Sequence, residues 1–155
     1  MVARAAGGTR CTAPPNTYTL RDRRAEQEVT PAAEAYGLGV LPYFPLANGL
    51  LTGKYSPGTA PAGSRLSHTR TYMVHDADWD QLQRFSSFAA ERDLTEIQVA
   101  FSWLAAQPAV SSVIAGATRP EQIRENAAAV AGVPSRAERP ELAAVFPKVP
   151  RPAPL

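Results

Sequence analysis

The chain has 155 residues, of which 16 are Lys or Arg and 14 are Asp or Glu, so its formal net charge is only +2. This length suits one domain with a hydrophobic core of ordinary size. The balanced charge argues against nucleic acid as a partner. The single cysteine, Cys11, excludes an internal disulfide framework, and no apolar run reaches the roughly 20 residues of a membrane span. We therefore expect a cytoplasmic protein with neither a nucleic-acid nor a membrane partner.

The first segments of the chain combine an irregular start with one strand and one helix. Residues 1–13 mix alanine, glycine and arginine without a period, and we expect a disordered leader there. Asn16 to Leu20 forms the first candidate strand. A charged turn then leads into a helix predicted over Ala25 to Tyr36.

The stretch 37–55, GLGVLPYFPLANGLLTGKY, predicts a buried strand followed by a loop. Leu38 to Leu41 is a short apolar run of the kind found in parallel α/β sheets. The loop carries two glycines and Lys54. Such a loop can bring backbone amides and a point charge to an anion, and a phosphate-bearing ligand is the natural candidate. The same residues also suit an ordinary strand-to-loop connection with a solvated lysine.

A long loop and two helices follow. Ser56 to His75 is rich in glycine, proline, serine and threonine, and such a loop is either a functional lid or a mobile connection. Periodic apolar residues predict a helix from Asp76 to about Arg92 and another that begins at Thr95, where Thr-Glu-Ile-Gln has capping-box form. We assign Trp79 and Trp103 to core packing.

The third candidate strand, Ala109 to Gly116, ends in glycine and leads directly into a helix. Thr118 stands three residues before Glu121, with Pro120 in the first turn, which is typical of a capped helix start. The amides and dipole of a helix start favour an anion, and Arg119 stands beside them. Taken alone, the pattern predicts either an anion site or a capped helix with a polar surface face.

Three segments resemble the aldo-keto reductase superfamily, in the branch that includes potassium-channel β subunits and many bacterial oxidoreductases. Residues 45–55, PLANGLLTGKY, are similar to the family segment P-L-x-x-G-L-L-T-G-K-Y. Residues 116–126, GATRPEQIREN, are similar to G-A-[ST]-x-x-x-Q-[IL]-x-E-N, and residues 16–29 to the sixth-strand region Q-x-E-Y-S-L-L-x-R-x-x-E-x-E-V. The resemblance covers Asn16 to about Val130. It implies NADP(H) as cofactor and the interconversion of carbonyl compounds and alcohols.

The resemblance also implies the residues that bind the cofactor. Tyr43 matches the aromatic residue that stacks on nicotinamide, and the pyrophosphate is bordered by Leu46, Asn48, Gly49 and Lys54. The segment from Gly116 holds the adenosine and its 2′-phosphate: Thr118, Arg119 and Gln122 lie at or near the phosphate, Glu125 and Asn126 at the adenine. Phe44 departs from the pattern, because the family usually has a serine whose hydroxyl contact is lost here. Arg65 matches a frequently basic position of the loop that can fold over the cofactor.

The resemblance implies an α/β fold, a partial (β/α)8 TIM barrel of about the last three β/α units, with parallel strands and outer helices. The family's catalytic Asp, Tyr, Lys and His belong to the first half of that barrel, and no residue here matches their contexts. We therefore assign no catalytic residue and no metal ligand. Residues 14–131 would form the half-barrel after the leader of residues 1–13, and residues 132–155 a proline-rich tail that is extended or disordered.

Such a piece of a barrel would expose strand edges and an apolar inner face. We expect a second copy of the chain or a complementary N-terminal half to cover them. Three functions remain open: the NADP(H)-binding part of a carbonyl reductase that is not active alone, a non-catalytic binding or assembly module, and a relic without a function of its own.

Overall fold

Two short strands pair in parallel in the computed structural model, which describes residues 16–130 and 139–148. Strand β1 (Asn16–Thr17) lies beside β2 (Pro42–Tyr43), with Asn16 opposite Pro42 and Thr17 opposite Tyr43. β1 is shorter than predicted because Thr19 and Asp22 exchange backbone hydrogen bonds of 3.0 and 3.2 Å, which turn the chain. β2 begins later than predicted, although Val40 just before it also makes a parallel bridge.

The third predicted strand runs parallel to β2 without forming a continuous ladder. Its contacts with the β2 segment are two isolated parallel bridges, Val40 to Val110 and Tyr43 to Ile114. Between these bridges, residues 41–42 oppose residues 111–113, so the third segment carries one extra residue. An extra residue of this kind is a β-bulge, and it leaves the ladder interrupted. The prediction of an unbroken strand over Ala109 to Gly116 is therefore wrong.

The helices follow the predicted order with adjusted bounds. The predicted helix over Ala25 to Tyr36 divides into a 3-10 helix (Arg24–Glu26) and α1 (Val29–Tyr36), which ends at Gly37 in the left-handed conformation, φ 60°. The remaining helices are α2 (Tyr72–His75), α3 (Trp79–Ala90), α4 (Glu96–Ala105), α5 (Pro120–Ala129) and α6 (Arg139–Val145). Short 3-10 helices also occupy Ala47–Thr52 and Arg65–Ser67.

The main core lies between α3, α4 and the loops that pack on them. Its fully buried side chains include Tyr18, Leu51, Leu66, Phe85 and Leu104. Both tryptophans pack here, as predicted: Trp103 is buried, and half-buried Trp79 donates its indole N–H to the Val74 carbonyl at 3.1 Å. Apolar side chains of α3 and α4 thus form the support on which the strand-end loops rest.

Helix α6 corrects the prediction of an extended tail for the described residues 139–148. Leu142 and Phe146 are 0% and 1% exposed, and Phe146 meets Phe85 edge to face at 5.3 Å. A helix that buries such side chains is part of the core. The predicted leader of residues 1–13 lies outside the described residues, and the predicted domain boundary near 131 lies at their margin. Both stay predictions.

Candidate functional site

The loop after β2 is built around backbone in the left-handed region. Phe44, Ala47 and Asn48 have φ values of 55°, 49° and 60°, and Gly49 has φ 101°. A Cβ atom on Gly49 would lie 3.2 Å from a ring carbon of Tyr55 and 3.3 Å from the Lys54 side chain. Glycine at position 49 therefore allows both the unusual backbone and the close approach of these two side chains.

The second part of the site is the start of α5. Pro120 occupies the first turn, as predicted, but Thr118 does not form the expected capping box with Glu121. Instead, the backbone N–H of Thr118 donates to Gln122 Oε1 at 2.8 Å. The Thr118 hydroxyl donates to the same oxygen at 3.2 Å. Arg119 is the N-cap residue, and no side chain of the described residues caps this helix. Pro120 has no N–H, and the N–H of Gln122 donates to the Arg119 carbonyl at 3.2 Å, so this helix start has fewer open amides than is usual.

These two parts line one cleft of about 1000 Å³. The predicted site residues in its lining are Leu46, Asn48, Gly49, Lys54, Gly116, Thr118, Arg119, Gln122, Glu125 and Asn126. Tyr43 is the predicted residue that is not in the lining; its half-buried ring packs on Phe44 with centroids 4.9 Å apart, and Phe44 does line the cleft. Sequence reasoning therefore identified segments that the fold brings together, although they are about seventy residues apart in the chain.

The 56–75 segment forms another wall of the cleft, and most of its lining residues were not predicted from the sequence. Ala62, Gly63, Ser64, Arg65 and His68 line it from the 56–75 segment. This segment is anchored in the core: Leu66 is 1% exposed, and its backbone N–H donates to the Tyr55 hydroxyl at 3.2 Å. Only the glycine- and proline-rich composition and the basic Arg65 pointed to a role. No sequence signal distinguished Ser64 or the half-buried Ile97 of α4, which also lines the cleft.

The lining is rich in polar groups that suit an anionic, hydrogen-bonding ligand. Lys54, Arg65 and Arg119 bring positive charge, and Glu125 brings a carboxylate. Two buried acceptor atoms of the lining, Asn48 Oδ1 and Ser64 Oγ, have no hydrogen-bond partner among the described residues. Buried polar atoms without partners cost free energy, so atoms of this kind at a cleft wall are suited to bonding with a ligand or water.

Residues 16–130 and 139–148 contain neither a metal-binding cluster nor a membrane-spanning helix. No group of three or more His, Cys, Asp or Glu side chains is arranged there to hold a metal ion. In the same part of the chain, no helix combines the length and the apolar character needed to cross a membrane.

Parallel segments joined through helices, with a polar cleft where they end, define an α/β protein of the ligand-binding type. The chain belongs to the Aldo/keto reductase family, whose pattern matches residues 2–144. That family is one of oxidoreductases that generally use NAD(P)H.

Several relatives are similar over most of this chain. A protein of Schizosaccharomyces pombe named putative voltage-gated potassium channel subunit beta is 39% identical over 124 residues, which cover 76% of this chain and 36% of that protein. A probable voltage-gated potassium channel subunit beta of Arabidopsis thaliana is 40% identical over 116 residues, 72% of this chain and 35% of the relative. The NADH-specific methylglyoxal reductase of Escherichia coli K12 is 34% identical over 116 residues, which cover 73% of this chain and 35% of that protein. The chain therefore spans about a third of the length of these relatives.

Proposed function

We propose that this chain binds NADP(H) in the cleft between the loop after β2 and the start of α5. In this proposal it is the cofactor-binding part of a carbonyl reductase. The observation that carries the proposal is the meeting of two distant segments, 44–54 and 116–126, around one polar cleft. Both segments carry the family's cofactor motifs, which supports the nicotinamide dinucleotide over other phosphate-bearing ligands.

The residues present fit such a cofactor. Asn48 Oδ1 and Ser64 Oγ offer acceptors that the described residues leave unused. A Cβ placed on Gly49 would lie 3.4 Å from Lys54 Nζ, so the lysine charge stands close to the loop backbone, where we place the pyrophosphate. The positive end of the α5 dipole, with Arg119 at its N-cap, suits the 2′-phosphate.

Each residue has a proposed task in binding. Lys54 neutralises the pyrophosphate, Thr118 and Arg119 hold the 2′-phosphate, and Glu125 and Asn126 orient the adenine. Tyr43 packs on the nicotinamide ring from the end of β2. When bound, the cofactor supplies the hydride that reduces a carbonyl carbon.

The proposed fold context is the last three β/α units of a (β/α)8 barrel. β1, β2 and the segment around residues 110–114 are neighbours in chain order and all run parallel, which supports this placement. By resemblance, the catalytic Asp, Tyr, Lys and His belong to the other part of the barrel. We propose that a complementary N-terminal half supplies them together with most of the pocket for a small carbonyl substrate.

A second candidate function is a non-catalytic binding or assembly module. It is favoured by the names of the S. pombe and Arabidopsis relatives, which describe them as channel subunits. Exposed apolar side chains also lie near the third parallel segment and on α5, where Ile114 and Ile123 are 45% and 62% exposed. A partner or a second copy of the chain would cover them in this candidate function.

The proposal is tested by the preference between NADPH and NADH, because the E. coli relative is named NADH-specific. We expect the pair of substitutions Thr118→Ala and Arg119→Ala to weaken NADPH binding at least about ten-fold, since charge-assisted hydrogen bonds to the 2′-phosphate are lost. NADH binding should change less than about three-fold, because NADH lacks that phosphate. Isothermal calorimetry gives both dissociation constants, with the oligomeric mass measured in the same buffer.

Arg124→Ala is the matched control, because Arg124 is an exposed arginine of α5 that does not line the cleft. It should leave both constants within about two-fold of the parent. Equal losses for NADPH and NADH would contradict the assignment of the phosphate site. A folded chain that binds neither nucleotide would contradict the proposed function and favour the assembly module.

A further inference from the structure

The ring of Phe44 contacts two guanidinium groups. Arg65 Cζ is 5.3 Å and Arg70 Cζ is 5.8 Å from the ring centroid. Phe44 follows β2, whereas both arginines belong to the 56–75 segment. Phe44 and Arg65 both line the cleft, so these contacts join two of its walls.

Phe44 and Arg70, which contact each other, both have an unfavourable backbone conformation. Phe44 has φ 55° and Arg70 has φ 54°, in the left-handed region that bulky side chains rarely adopt. Such conformations persist where the surrounding contacts stabilise them, and they are frequent at functional sites. The cation–π contacts are among the interactions that hold them here.

The wall formed by the 56–75 segment is anchored in the core at Leu66 and Val74, which are 1% and 3% exposed. Leu66 is buried, and its N–H donates to the Tyr55 hydroxyl at 3.2 Å. Next to this anchor, Gly63 has φ 73°, and a Cβ placed on it would meet no atom within 4 Å. Gly63 therefore faces open space on this side, and the arginine contacts with Phe44 are one link between the wall and the end of β2.

We propose that Phe44 is a positioning residue: its ring holds Arg65 and Arg70, and through them residues 62–70, as a fixed wall of the cleft. Arg65 is thereby kept where its N–H donors face a ligand phosphate. This role explains why an aromatic ring at this position is compatible with the site although it lacks the hydroxyl usual in the family. The inference rests on the proposed function only for the identity of the ligand, since the positioning exists without one.

Hydrogen–deuterium exchange of the free, full chain tests the positioning directly. Phe44→Leu keeps an apolar side chain and removes the π face, so we expect exchange in a peptide covering residues 62–71 to become about five- to thirty-fold faster, the effect of losing two exposed cation–π contacts. Phe44→Tyr keeps the π face and should exchange at the parent rate. Tyr72→Leu, which removes an exposed aromatic ring from neighbouring α2, is the matched control and should leave this peptide unchanged.

Three results would overturn the proposal. They are parent-like exchange in Phe44→Leu, exchange in Phe44→Tyr as fast as in Phe44→Leu, and faster exchange spread equally over α4, which would indicate global unfolding. NADPH dissociation, followed by stopped-flow fluorescence in the same variants, separates the two proposals. A chain with the expected exchange pattern that does not bind NADPH would contradict the proposed function and retain the positioning role of Phe44.

Discussion

Arg23 is a buried arginine that donates hydrogen bonds both to a neighbour in the chain and to a distant residue. Its Nε and Nη2 donate to Glu26 at 2.6 and 3.0 Å, and its Nη1 donates to the Phe146 carbonyl at 3.0 Å. Tyr18 and Lys148 also donate to Glu26. Burial raises the pKa of Glu26, but the hydrogen bonds from Arg23 and Lys148 outweigh it and hold that pKa below its ordinary value. Burial, together with the Glu26 carboxylate, raises the pKa of Tyr18 above its usual range.

We predict that Glu26→Gln lowers the free energy of unfolding at pH 7 by about 2 to 3 kcal/mol, because it leaves the buried Arg23 without its counter-charge. The native pKa of Glu26 is below the unfolded value of about 4.3, so the carboxylate stabilises the fold above that pH. This contribution is lost as the pH falls through the native pKa. The difference between variant and parent should therefore shrink at pH 3, as measured by urea unfolding.

Glu34→Gln provides the control for this prediction, because Glu34 is an exposed carboxylate of α1. It should change stability by less than about 0.5 kcal/mol at either pH. A Glu26→Gln difference that is the same at pH 3 and pH 7 would contradict an ionic role for Glu26.

At the scale of the element, the starts of α4 and α5 differ in how far the sequence predicted them. The Thr95 capping box is confirmed: Thr95 N–H donates to Gln98 Oε1 at 2.8 Å, and Gln98 N–H donates to the Thr95 hydroxyl at 3.2 Å. At α5 the same rule failed, because Thr118 pairs with Gln122, four residues on, instead of Glu121. The capping rule holds only where the helix begins directly after the threonine, and the N-cap of α5 is Arg119, one residue later.

We predict that Thr95→Ala costs about 1 kcal/mol of stability, the usual loss when a helix N-cap is removed. Thermal unfolding followed by circular dichroism measures the change. Ser87→Ala, at an exposed position of α3, is the control and should not destabilise the chain. A Thr95→Ala variant as stable as the parent would show that tertiary packing alone fixes the start of α4.

Two elements lay beyond what local rules predict. The bulge at residues 111–113 depends on how the third segment pairs with β2, and no alternation of apolar residues encodes one extra residue there. Helix α6 has only seven residues, so it depends on tertiary contacts more than on helix propensity. The proline-rich, aperiodic sequence from Ala131 onward indicated an extended or disordered tail, although a proline such as Pro140 is tolerated in the first turn of a helix.

Most of the predicted site residues line one cleft, and their segments could be identified from the sequence because their motifs are short and local. Lys54 and Thr118 were identified by the segments around them, and the fold brings those segments to one cleft. The wall containing Ser64 could not be predicted, because it depends on Leu66 entering the core.

At the scale of the whole molecule, α6 closes the core from the far end of the described chain. Leu142 and Phe146 are buried among residues of α3, and Gln81 donates to the Val145 carbonyl at 3.0 Å. Residues of the last helix and the first turn therefore share one core with the helices that support the cleft. Loss of α6 packing is expected to affect the stability of the entire fold.

We predict that Leu142→Ala lowers the free energy of unfolding by about 2 to 5 kcal/mol, the range for a buried leucine that leaves a cavity. Urea unfolding followed by tryptophan fluorescence measures this loss. Ile123→Ala, at a 62% exposed position of α5, is the matched control and should change stability by less than about 0.5 kcal/mol. A loss at Leu142 no larger than at Ile123 would show that α6 does not contribute to the core.

The bond from Arg23 to the Phe146 carbonyl spans 123 residues of the chain. Ribosomes add roughly 5 to 20 residues per second, so Arg23 is made about 6 to 25 seconds before the carbonyl that it binds. During that interval the apolar surface beneath α6 stays uncovered in the nascent chain, where chaperones recognise such surface. The core of this protein is therefore completed only after Phe146 has been made, and the cleft acquires its full support only then.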